Sequence, residues 1–306
     1  MKVLGSGGRP ERGCVVTIGA FDGVHLGHQA LIGLVRDRAD QLGCASAVVT
    51  FDRHPASVVR PESAPKLLTD LDRKLELLAS TGVDYTLVLP FNEVRAAEPA
   101  EDFVNNVLIG RLNARSVIVG HDFHFGYKRR GNLEMLAGMG ASLDFAVEEV
   151  GAVADGGTTI SSTEIRRLVA AGDVAGAARL LGRPHELRGL VVMGDGRGRE
   201  LGYPTANLQI QTDILVPGDA VYSGWYVFPD SSLLPAAISV GTRPTFYEQG
   251  TSLIEAYVLD FDGDLYGQHG SIRFVDRLRD QRRFDSTAQL VAQIESDVAH
   301  TRLATA

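Results

Sequence analysis

Cysteine is scarce: the 306 residues hold two, Cys14 and Cys44, with no CxxC spacing. That excludes a disulfide framework and a cysteine-rich metal site, and both thiols are expected as structural groups of buried strands in a reducing compartment. No stretch has eighteen consecutive apolar residues, and Met1 to Arg12 is polar and glycine-rich. Neither a membrane-spanning helix nor a secretory leader is therefore expected, and the location is read as cytoplasmic, with no membrane partner. Positive charge is also in deficit, since 30 Lys and Arg against 38 Asp and Glu leave a net charge of −8. This argues against a nucleic-acid partner bound by broad phosphate neutralisation, while leaving room for a local basic pocket. What remains is an ordinary globular composition, 44% hydrophobic and 22% charged, long enough for two cores.

The stretch from Val15 to His28 runs from a buried-looking strand through a glycine turn into a helix, with His25 and His28 where turn becomes helix. Gly19, Gly23 and Gly27 let backbone approach a phosphate, and the helix N-terminus favours an anion. Phe21 and Asp22 belong to the same turn. No Lys-Ser/Thr follows the glycines, so this is not a P-loop. It resembles instead the HxGH signature of nucleotidylyltransferases. The helix, from about Gln29 to Leu42, carries Leu31, Leu34, Val35, Ala39 and Leu42 on one face and stops at Gly43. Strands are expected over Ala45 to Phe51, Tyr85 to Leu89 and Ser116 to Val119, the first leading into Asp52-Arg53-His54-Pro55. Between them fall a helix opened by Thr69 and one carrying Phe103, Val104, Val107 and Leu108. Such alternation implies a doubly wound parallel sheet, Rossmann-like, with its ligand at the carboxyl ends of the strands.

Two further stretches fall at that edge. Gly120 to Gly131 combines Asp122, Phe123, Phe125 and Arg130 between glycines. It is either a surface loop whose aromatics plug the core or a flap over a planar, phosphorylated ligand. Ser161, Ser162 and Thr163 precede Glu164 and Arg166. That pattern is either a capping box or an anion clamp at a helix N-terminus. His25, His28 and His54 also leave a zinc site open as an alternative.

After Gly182-Arg183-Pro184 the pattern changes to short strands, which sets the expected domains at 1–183 and 184–306. Runs over Leu190 to Met193, Tyr222 to Phe228, Ala236 to Val240, Ile254 to Leu259 and Ser271 to Phe274 predict a small antiparallel β-barrel. Leu290, Ile294 and Val298 predict a terminal helix over it. A loop with Gly194, Gly196, Gly198 and Gly202 precedes Pro204-Thr205-Ala206-Asn207. Glycine loops alone are common in β domains; the Thr/Asn pair offers uncharged oxygens suited to a hydrated Mg²⁺ on ATP phosphates.

From Val15 to Thr301 the chain resembles the bifunctional prokaryotic riboflavin kinase/FMN adenylyltransferase family, also called FAD synthetase. The matching blocks are the HxGH turn, Thr50 to Pro55, Gly120 to Gly131, Ile160 to Arg166, Gly194 to Asn207, Gly241 to Phe246, Glu255 and Asp264 to Gly267. The resemblance implies a C-terminal module that phosphorylates riboflavin to FMN and an N-terminal module that adenylylates FMN to FAD. ATP is then co-substrate in both, with Mg²⁺ as cofactor. It assigns Glu255 as the kinase base, Thr205 and Asn207 to the metal, and the four loop glycines to ATP. In the other module it assigns His25, His28, His54 and Arg166 to catalysis, and Gly19, Phe21, Asp22, Gly23, Gly27, Ser161, Ser162 and Thr163 to ATP. Asp122, Phe123, Phe125 and Arg130 are assigned to the flavin. The bland alternative for Glu255 is an outward charge on an edge strand. Departures from the family pattern are Arg53 before His54, Ala220 where glycine is usual, and a short segment before Val15. They leave open a relative with one active module, one specialised for a flavin analogue, or a non-catalytic flavin-binding regulator. Homo-oligomerisation also stays open.

Overall fold

In a computed structural model of the chain, residues 1–5, 8–194, 196–242 and 252–306 are described. The chain forms two compact units, Met1–Ser162 and Thr163–Ala306. The first holds a six-stranded parallel sheet of β1 (Lys2–Val3), β2 (Cys14–Ile18), β3 (Ala45–Phe51), β4 (Tyr85–Leu89), β5 (Ala114–Gly120) and β6 (Ala146–Val150), in the order β1-β4-β3-β2-β5-β6. The β2 strand is central, with β3 on one side and β5 on the other, so the order in which strands are added reverses there while all run parallel. That makes the carboxyl end of β2 the topological switch point, where open parallel sheets receive ligands.

Every residue of β2 is buried, as a strand covered on both faces requires. Cys14, Val16 and Ile18 join the larger core with Phe103, Val104, Val107, Leu108 and Leu136. Val15 faces Val35 and Ala39 of α1 (Leu26–Leu42). That helix closes on Gly43 in the left-handed conformation, as its sequence predicts. Its buried stripe is Ile32, Val35 and Ala39, whereas Leu34 and Leu42, expected in the core, are exposed at the margin of the apolar face. A second correction concerns the next helix, α2 (Leu71–Ser80): Asp70, not Thr69, caps it, accepting from the Arg73 N–H at 2.7 Å. Thr69 has another task, described below.

The second unit contains a closed antiparallel barrel of β7 (Glu186–Val192), β8 (Ala206–Gln209), β9 (Ala220–Val227), β10 (Leu233–Thr242), β11 (Ser252–Val258) and β12 (His269–Arg279), in the order β8-β11-β10-β9-β12-β7. Alternate residues fill it: Tyr222 and Tyr226 of β9, Ala236 and Ile238 of β10, Ile254 and Ala256 of β11, Ile272 and Phe274 of β12. The terminal helix α3 (Thr287–Ala304) packs against β9, β10 and β12. Leu290, Ile294 and Val298 are half-buried there, and the most buried residues are Asp297 and Thr301. The Asp297 carboxylate accepts from Arg279 of β12 at 2.7 and 3.0 Å and from Gln293 at 2.8 Å. Residues 174–181, a helix by themselves, pack on β12, which is why compactness divides the chain earlier than the change of sequence pattern at 183/184.

Candidate active site

The turn leaving β2 is strained. Phe21 and Val24 take φ of 50° and 37°, rare for any L-residue and costly for β-branched valine. A buried polar strut holds it. The Asp22 carboxylate, in a residue 4% exposed, accepts from the Leu68 N–H at 3.0 Å and the Thr69 N–H at 3.1 Å. Thr69 Oγ1 also donates to Asp22, at 3.3 Å, and accepts from the Gly23 N–H, at 3.2 Å. Asp22 therefore serves the site by fixing the turn, and Thr69, taken from sequence as a helix start, is the other half of that strut.

His25 caps α1: its Nδ1 accepts from the His28 N–H at 3.3 Å, and the two imidazoles stack with centroids 3.6 Å apart. Phe21 packs on His28 at 4.9 Å. A Cβ at position 27 would crowd the His25 ring and the Ile160 carbonyl, so Gly27 makes room for the stack. His54, beyond β3, likewise accepts at Nδ1 from the Ala56 N–H at 3.1 Å. With Nδ1 used as an acceptor, neutral His25 and His54 carry their proton on Nε2 and present N–H donors. That is the polarity an oxyanion needs, and the reverse of what zinc takes from imidazole. No metal-holding cluster of His, Cys, Asp or Glu occurs among the described residues.

Around His54 lies a small cleft lined by Ala20, Asp22, Asp52, Arg53, Thr69 and Lys74, among others. Lys74 was not singled out from sequence. Its signal is a lysine at a core position of the α2 repeat, in register with Leu71 and Leu78. Ser162 Oγ donates to the Asp22 carbonyl at 2.9 Å, which brings the Ile160 to Ser162 stretch to the same turn. Glu164 forms a fork with Arg167, at 2.6 and 2.8 Å. Arg166 and Thr163 follow in that helix, Ser162–Ala170. In the 120–131 loop, Phe125 is buried against Phe103 and closes a bridge with Gly131, so it serves the core. Phe123 stacks on it at 5.3 Å and is half-buried, and Asp122 and Arg130 are exposed.

On the barrel, one row of paired residues crosses three strands: Asn207 of β8 faces Glu255 of β11, which faces Ser239 of β10. Ile254 and Ala256 point inward, so Glu255 lies on the outer face of an interior strand of the sheet order, not on an edge. Asn207 is 4% exposed, and its Oδ1 has no hydrogen-bond partner among the described residues. Gly194 lies against that amide, and any Cβ there would overlap it. Gly196 and Gly202 have left-handed φ, and Gly198 backs onto the Tyr203 carbonyl. A buried, unspent amide oxygen beside a carboxylate is a donor set for a hard divalent cation, and fits Mg²⁺. Thr205 lines an open cleft with Arg199, Phe261, Asp264 and Tyr266. Within the matching block Gly241 to Phe246, residues 243–246 lie outside the described residues, as does Asp195.

An α/β unit with an HxGH turn at its switch point, joined in one chain to a barrel carrying a carboxylate–amide row, defines a two-module nucleotide-using transferase. Residues 9–164 match the FAD synthetase family and residues 181–305 the riboflavin kinase family. A Pseudomonas fluorescens protein named bifunctional riboflavin kinase/FMN adenylyltransferase is 41% identical over 295 residues, covering 96% of this chain and 94% of the relative. Its namesake from Escherichia coli K12 is 36% identical over 288 residues, covering 94% and 91%. A crystal structure from Streptococcus pneumoniae, described as a macrolide-efflux protein, matches with a TM-score of 0.85 at 32% identity, over 95% of this chain and 94% of that one. Among the described residues no helix is long and apolar enough to cross a membrane. The chain belongs to the bifunctional riboflavin kinase/FMN adenylyltransferase family.

Proposed function

We propose that the barrel unit phosphorylates riboflavin and the α/β unit adenylylates the resulting FMN, in the cytoplasm, with ATP as co-substrate of both steps. In the first step the ribityl 5′-hydroxyl attacks the γ-phosphorus, the bond from that phosphorus to the bridging oxygen breaks, and ADP leaves. A hydroxyl is a weak nucleophile, and Glu255 takes its proton. Asn207 and Thr205 would hold Mg²⁺, which when bound neutralises charge on the ATP phosphates. The glycines at 194, 196, 198 and 202 leave the loop backbone open to those phosphates.

In the second step an FMN phosphate oxygen attacks the α-phosphorus of ATP and pyrophosphate leaves. The nucleophile is already anionic, so this step needs no base. His25, His28 and His54 donate hydrogen bonds to phosphate oxygens as charge develops, and the N-terminus of α1 adds its dipole. Ser161, Ser162, Thr163 and Arg166 are assigned to the triphosphate, and Asp122, Phe123 and Arg130 to the flavin side, with Phe125 backing Phe123 from the core. Arg53 adds a cation at the cavity that His54 lines.

The observation that supports this reading is the register of Asn207, Glu255 and Ser239, which sets an amide and a carboxylate side by side on neighbouring strands of the barrel. The test supplies riboflavin and FMN separately, each with ATP and Mg²⁺, to the full chain. Riboflavin should yield FMN and then FAD; FMN should yield FAD and pyrophosphate. Product from neither substrate, by a chain that binds ATP, would overturn it.

A further inference from the structure

Lys74 is the one lysine or arginine buried among the described residues, at 7% exposed. Its ammonium donates to the Phe51 carbonyl at 2.7 Å and to the Ala20 carbonyl at 3.4 Å. Ala20 opens the strained turn that carries His25 and His28, and Phe51 opens the loop that carries His54. The Ala20 carbonyl also accepts from Thr50 Oγ1 at 3.1 Å, so the ends of β2 and β3 are laced together at one point. The third ammonium hydrogen has no acceptor among the described residues, and Lys74 lines the cavity shared with Asp22, Asp52, Arg53 and His54.

Burying an ammonium is expensive, and here the cost is met only in part by two carbonyls and the nearby charges of Asp22 and Asp52. A methionine of similar volume would avoid that desolvation but would leave the Phe51 and Ala20 carbonyls without this donor. The residue is therefore explained by what it does for the edge of the sheet. We infer that Lys74 is a positioning residue for adenylyl transfer, setting the spacing of the His25–His28 turn against the His54 loop and leaving one donor for a phosphate oxygen between them. This rests on the reading that the α/β unit makes FAD. Misplacing reacting groups by about 1 Å costs on the order of a hundredfold in rate, so a staple of this kind is visible in turnover.

Burial pushes the Lys74 ammonium below the ordinary lysine range, against the opposing pull of Asp22 and Asp52. The groups facing it across the cavity are Asp22, Asp52, Arg53 and His54. Raising the pH therefore strips this ammonium before those of exposed lysines, and FAD formation should fall there.

The experiment compares wild type, Lys74→Met and Lys74→Arg as full chains, each assayed for FMN to FAD and for riboflavin to FMN. In Lys74→Met, FAD formation should drop on the order of a hundredfold, in kcat with the KM for ATP moved less than about threefold, and riboflavin phosphorylation should stay within about twofold. Lys74→Arg, always charged, should recover to within about tenfold of wild type and move the alkaline fall to higher pH. Lys74→Met within about twofold of wild type in FAD formation, a loss shared by riboflavin phosphorylation, an arginine variant no better than methionine, or an unmoved alkaline limb would each overturn the inference. A wild-type chain that makes no FAD from FMN overturns the underlying reading, and this inference with it.

Discussion

The two units assemble their chemistry in opposite ways. In the α/β unit the candidate histidines stand on a loop or a helix start beyond a parallel strand, and nothing in the sheet ladder fixes one loop against the next. Buried polar struts do so instead: Asp22 with Thr69, and Lys74 with the Ala20 and Phe51 carbonyls. In the barrel Asn207, Glu255 and Ser239 belong to neighbouring strands, and the backbone ladder sets their spacing. A site on loops depends on residues that never meet the substrate; a site on strands comes with its spacing built in.

The sharpest way to break this comparison is to disable each unit in turn. Glu255→Gln keeps the size and the register but removes the base, and should cut riboflavin phosphorylation on the order of a hundred- to ten-thousandfold. The same variant should still convert supplied FMN to FAD at the wild-type rate. His28→Ala should give the mirror result, with FAD formation down on the order of a hundredfold or more and FMN formation intact. If either variant lost both activities, the two sites would not be separate, and the contrast would fail.

The same contrast decides what could be read from sequence. Barrel strands announce themselves by alternation, so the Tyr222 to Phe228 and Ile254 to Leu259 runs, and the placement of Glu255 opposite Ile254 and Ala256, were legible. So was the HxGH turn, because glycines and histidines at a strand-to-helix junction have few other uses. Not legible were β1, two exposed residues, and β6, whose Ala-Val-Glu-Glu-Val carries the acids of a sheet edge. Glu148 of β6 pairs with Arg38 of α1 at 2.8 Å, so the charge that hid the strand is also part of what fastens it. The struts were hidden for a related reason. Lys74 and Asp297 occupy core positions of helices where polar residues are usually taken for a solvated face. Asp22 was visible only as part of a phosphate motif. Which ring nitrogen of His25 and His54 the backbone occupies, an observation that bears on oxyanion against zinc chemistry, is something no spacing can show.

A smaller effect sharpens the comparison from the side of stability. Asp22→Asn turns one carboxylate oxygen into an N–H donor facing the Leu68 and Thr69 N–H groups, which already donate there. The α/β unit should lose about 2–3 kcal/mol, read as a lower unfolding midpoint for that unit alone. Riboflavin phosphorylation should persist at temperatures where FAD formation has gone. Equal loss of both would mean that the two units unfold as one.

The smallest effects come from a matched pair, one hydroxyl removed from each site. Thr69→Val deletes the oxygen that accepts from the Gly23 N–H and donates to Asp22, in a turn already strained at Phe21 and Val24. FAD formation should fall about tenfold, because the turn shifts when this part of its support goes. Ser239→Ala deletes a hydroxyl that accepts from Gln281 Nε2 at 2.9 Å, directly beside Glu255 in the row. That amide keeps the Val240 carbonyl at 3.0 Å, and the ladder between β10 and β11 keeps Glu255 in register. FMN formation should therefore change by no more than about twofold. Initial-rate measurements on both variants, with both substrates, decide it. A barrel site as sensitive as the loop site would mean that side chains, not backbone pairing, hold Glu255 where it works.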